Sequence, residues 1–74
     1  MNKLLLSKDV YEISIIVQTI SAFSDLVSIC VCDSENYYVC VFENCVYSQD
    51  QTIKEFENYL IDLCNKMKHW YDFN

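Results

Sequence analysis

The chain predicts an α+β fold: a small, antiparallel-containing sheet with two helices packed on one of its faces, in the order β-α-β-β-α. Three observations lead there. Two stretches repeat apolar residues at three- and four-residue steps, the period of a helix face. Two others alternate with period two and flank the one dense polar cluster, Asp33-Ser34-Glu35-Asn36, as the arms of a hairpin do. A short apolar run precedes them all.

That first run, residues 3–7, reads as an edge strand. Asp9-Val10-Tyr11-Glu12 has capping-box spacing, with Asp9 as N-cap and Glu12 reaching back to free amides. Ile13, Ile16, Val17, Ile20 and Phe23 then mark one face of a helix, while Ser14, Gln18, Thr19 and Ser21 lie largely off it. Ser24-Asp25 is a stop. Residues 26–33 are the second strand, with Val27, Ile29 and Val31 on one face and Ser28, Cys30 and Cys32 on the other. Residues 37–47 are the third, antiparallel to the second, with a bend or bulge at Glu43-Asn44. Ser48-Gln49-Asp50-Gln51 is a second capping box. The helix after it is the clearest element. Ile53, Phe56, Tyr59, Leu60, Leu63, Cys64, Met67 and Trp70 share a face, and Lys54, Glu55, Glu57, Asn58, Asp62 and Lys66 mostly point away. Lys66 and Lys68 suit the negative end of the helix dipole.

With 74 residues the chain has room for a single domain, 1–74. A domain of this size buries only about 60% of the surface its unfolded chain exposes. Yet 53% of residues are hydrophobic and 15% aromatic, more apolar material than so small a core absorbs. The surplus points to an interface, and a homodimer is the expected form. Gly and Pro are absent, which excludes glycine-rich phosphate loops. Arg is absent as well, and the net charge is −6, so direct contact with a nucleic-acid backbone is not expected. No apolar run approaches the ~18 residues of a membrane span, and the leucines at 4–6 are too few for a signal-peptide core. The expected compartment is the cytoplasm, where the five cysteines stay reduced.

No catalytic constellation is legible. Cys30 and Cys32 share a strand face. Cys40 sits opposite Cys30 if the turn has three or five residues, and on the other face if it has two or four. A Cys-x-Cys pair on a strand points its sulfurs out in parallel, whereas zinc sites draw on knuckles that wrap the ion. The thiols therefore read as core or interface groups, with no metal and no cofactor expected. His69, the one histidine, lies between Lys68 and Trp70 with no partner for acid–base work. The aromatics say more. Tyr37, Tyr38 and Tyr47 crowd the hairpin, and Trp70, Tyr71 and Phe73 crowd the C-terminus. Tyr and Trp are enriched at interface hot spots, so these six are the candidate partner-binding residues.

The chain also resembles a known family. A short strand, Val10-Tyr11 opening a helix, Phe23-Ser24-Asp25, a hairpin, and a last helix with Glu55-Phe56-Glu57-Asn58-Tyr59-Leu60-Ile61-Asp62 are similar to the HxsD-like family of small His-Xaa-Ser system proteins. The likeness runs roughly from residue 4 to residue 66. Its most specific part is Phe56, Asn58, Tyr59 and Leu60, which resembles the family's late Leu-Leu-Asn-Asp-Tyr stretch. The family's basic Arg-Glu ending is replaced by Cys64-Asn65-Lys66, and the turn lacks Gly. The resemblance implies a non-catalytic accessory or adaptor of a radical-SAM peptide-modification system, which binds a precursor peptide or its maturase. An exposed strand edge would take an extended peptide by β-augmentation. The alternative is a small acidic inhibitor or regulator from a mobile element that blocks a nucleic-acid-binding protein.

Overall fold

The computed structural model describes residues 2–72, with side-chain environments from 2 to 66. The order is β1 (Lys3–Ser7), α1 (Ile13–Ala22), β2 (Ser28–Asp33), β3 (Tyr37–Glu43) and α2 (Gln49–Asp72), as expected from the residue pattern. The sheet has three strands in the order β1-β3-β2. Both pairings are antiparallel, so β1 and β2 run parallel to each other with β3 inserted between them.

The central strand decides which face is covered. Cys40 and Phe42 of β3 are fully buried, as is Leu6 of β1. Their cross-strand partners on β2 are Val31 and Ile29, half-buried against the same core. Both helices lie on this side. An edge-to-face chain of rings links the layers. Phe42 meets Phe56 at 5.1 Å, Phe56 meets Phe23 at 5.5 Å, and Phe23 meets Tyr59 at 5.7 Å. Each such pair adds about 0.5–1.5 kcal/mol beyond the area it buries. Leu60, Ile16, Ile15 and Val27 complete the core.

Several local expectations are corrected. α1 begins at Ile13 with Glu12 at the N-cap, and no side chain caps it. Asp9 does not start a helix. Residues 8–10 instead form a turn in which Val10 and Tyr11 N–H donate to Ser7 O and Asp9 N–H donates to Ser7 Oγ. The buried stripe of α1 is rotated as well. Ile15, Ile16 and Thr19 are buried, whereas Ile13 and Val17 are 43% and 54% exposed. Thr19 tolerates burial because its hydroxyl donates to Ile15 O at 2.9 Å.

β2 begins at Ser28, later than 26, because Leu26 and Val27 N–H both return to Phe23 O to close α1. Strand β3 ends at Glu43, short of 47. Asn44 then takes φ 56°, a left-handed conformation that Asn accepts more readily than most residues. In α2 the expected Ser48–Gln51 box is replaced by other bonds: Ser48 O accepts both Thr52 N–H and Thr52 Oγ1–H, while the Gln51 amide donates to Glu55. Tyr59, read as part of the buried stripe, is 45% exposed at its margin.

Candidate functional site

The side of the sheet away from the helices carries the most distinctive surface. Odd-numbered residues of β1 and β3 and even-numbered residues of β2 point there. Cross-strand register sets them in rows: Lys3–Val41–Cys30, Leu5–Val39–Cys32, and at the ends Ser7–Tyr37 and Glu43–Ser28. Among the described residues no element covers these rows. Leu5 is 63% exposed, Cys30 and Cys32 are exposed, and Val39 and Val41 are only half-buried by their neighbours. The centre of the face is aliphatic and thiol, and its charges, Lys3 and Glu43, lie at the margin.

The two edges of the sheet differ. Ser34 N–H donates to Tyr37 O, so 34 and 37 form a hydrogen-bonded pair. By the alternation of an antiparallel ladder, Ser28, Cys30 and Cys32 then bond to β3, and the peptide groups of Ile29, Val31 and Asp33 point outward. Phe42 N–H donates to Asn2 O, which by the same logic leaves Lys3, Leu5 and Ser7 pointing outward on β1. The Ser7 carbonyl is already taken by the turn that follows. The free edge of β1 is therefore short and starts at a lysine, while that of β2 is longer and uncharged from Ser28 to Cys32.

The turn follows the even-numbered branch. Cys40 pairs with Val31, on the opposite face from Cys30 and Cys32. Burial, with a smaller contribution from Cys32, pushes the Cys40 thiol up to about 11, so it stays protonated and inert. Cys64 is raised by burial and then by Glu12, and Tyr11 by burial and then by Cys64 and Glu57. That electrostatic influence puts the start of α1 near the middle of α2. Phe23, just past α1's C-terminal end, meets Phe56 and Tyr59 of α2. Among the described residues no three His, Cys, Asp or Glu side chains gather into a group that could hold a metal.

The hairpin tyrosines are not brought together. Tyr37 lies on the open face. Tyr38 lies on the helix side, half-buried, with the Lys8 ammonium 5.1 Å from its ring centre. That ammonium also pairs with Asp33, which ties the end of β1 to the hairpin. Tyr47 is exposed in the loop after β3, beside exposed Val46. Trp70 and Tyr71 fall on the last turns of α2, where side chains lie outside the description, as does that of His69; Phe73 lies outside the described residues. In the family-like stretch, Phe56 and Leu60 are core, Asn58 is exposed and Tyr59 is half-exposed beside Phe23.

Leu5, Val39 and Val41 were not singled out from the sequence. Their signal was the unbroken apolar run of β3, Tyr37 to Phe42, which marks a central strand with apolar residues on both faces. Fold and site together define a small α+β protein with one helix-covered sheet face and one apolar face left open among the described residues. Comparisons with protein-family models, curated proteins and solved structures find no match to this chain. No helix among the described residues is long and apolar enough to cross a membrane.

Proposed function

We propose that the protein is a non-catalytic adaptor that docks a protein or peptide through the open face of its sheet. In the setting the HxsD-like resemblance implies, the partner is a radical-SAM maturase or its precursor peptide. The observation that carries this reading is the uncovered row Leu5–Val39–Cys32 beside Val41 and Cys30. An exposed contiguous apolar patch rimmed by polar residues is the ordinary mark of an interaction site. The net charge of −6 favours a partner whose contact region is apolar with basic groups around it. Capture of partners on the tagged protein in its host tests the reading. A peptide-modifying enzyme or its precursor peptide is the expected catch. A nucleic-acid-binding protein in its place would favour the acidic inhibitor instead.

A further inference from the structure

We infer that the outer edge of β2 pairs with the same edge of a second copy, about a two-fold axis at Cys30, to give a continuous six-stranded sheet. The peptide groups of Ile29, Val31 and Asp33 point outward on this edge and lack a partner strand among the described residues. An unpaired edge of this kind is a template for another strand unless charge, proline or a bulge blocks it. None of these lies between Ser28 and Cys32. Two chains of net charge −6 therefore meet where no like charges face each other.

Parity and side-chain chemistry select the register. Two outward-pointing residues must pair with each other, so an odd-numbered residue of one copy faces an odd-numbered residue of the other. Two registers keep most of the strand. One sets Val31 against Val31 and drives Asp33 opposite Ile29, twice. The other sets Ile29 against Val31 of the second copy, twice, and leaves Asp33 past the end of the ladder with Lys8. The second register matches apolar with apolar on the helix side. It makes Cys30 face Cys30 in a non-hydrogen-bonded pair. There the Cα atoms approach to about 4.5 Å, within the range a disulfide spans. Cys32 then faces Ser28, and two Cys32 thiols lie far apart. A ladder this short is a small interface, of the weak class that buries less than about 1,200 Å² in total, so association depends on concentration.

The test is disulfide trapping with diamide, which accepts two protons and two electrons as two thiols join. Single variants Cys30→Ser and Cys32→Ser are exposed substitutions, and circular dichroism checks their folding. Wild type and Cys32→Ser are expected to yield a covalent dimer on a non-reducing gel, and Cys30→Ser to lose it. A dimer that survives Cys30→Ser, one that disappears in Cys32→Ser, or none in wild type overturns the inference. Sedimentation supplies a reading without oxidant. Wild type should self-associate with rising concentration, and Val31→Pro, which removes an outward N–H but no bond to β3, should not. Because neither reading involves another protein, the outcome is independent of whether the open face docks one.

Discussion

At the scale of single residues, the thiols separate by position. Cys30 and Cys32 are exposed on the open face, and Cys40 is sealed on the other. Ellman's reagent should therefore modify Cys30 and Cys32 in the native protein and leave Cys40 intact until unfolding. Rapid native modification of Cys40, mapped by mass spectrometry, would contradict the register of the hairpin. Cys40 also makes stability depend on pH. Burial, above all, raises its folded value to about 11 from the 9.0 of a free thiol. Below pH 9 both folded and unfolded thiols hold their proton, so its contribution is fully present. Between pH 9 and 11 the unfolded state binds fewer protons, and stability falls as pH rises. The span of two units corresponds to about 3 kcal/mol. Chemical denaturation at pH 8 and pH 11 should show this loss, and Cys40→Ala should reduce it relative to wild type.

At the scale of elements, α1 shows where reading a sequence succeeds and where it stops. That residues 13–22 form a helix was legible. Its buried side was not, because Ile13, Ile16, Val17 and Ile20 make one apolar stripe about 100° wide, while Ile15 extends the apolar surface past Ile16 in the other direction. Two stripes fit the helical period, and the choice falls to Thr19, whose hydroxyl bonds within the helix and so can be buried. Ile16→Ala should cost about 2–5 kcal/mol, the usual range for emptying a core site. Val17→Ser should stay within about 0.5 kcal/mol, as surface changes do. Equal costs in thermal unfolding would restore the other stripe. The start of α1 was misread for a related reason. Asp9-x-x-Glu12 has the right spacing for a cap, but the Ser7 hydroxyl and carbonyl take the nearby amides first. Strand faces were easier, since period-two alternation on β2 leaves a single choice. The turn length, which sets the face of Cys40, needed the structure, as did the strand order and the choice of covered face.

At the scale of the whole molecule, the packing of both helices on one side of the sheet sets the character of the protein. α2 has 24 residues, roughly 36 Å, and α1 only 10, roughly 15 Å; both pack on one face, and among the described residues nothing covers the other. That bare face is about 14 Å across its strands and about 17 Å along them, by ordinary strand spacing and rise. By itself it makes a small contact of the weak, transient class, below the about 800 Å² per partner of a standard interface. Pairing at β2 would double it. The surplus apolar material pointed to an interface, but its place on this face was not legible, because strand order and the covered face were undetermined. The central claim is that a partner docks on this face and not on the exposed side of α1, which carries Ile13 and Val17. The most direct measurement compares partner capture by wild type, Leu5→Glu and Val17→Glu, two charges placed at similarly exposed positions on opposite layers. Leu5→Glu should weaken capture roughly tenfold or more, the effect of losing about 1.4 kcal/mol, while Val17→Glu captures as wild type does. Loss with Val17→Glu and none with Leu5→Glu would contradict the account.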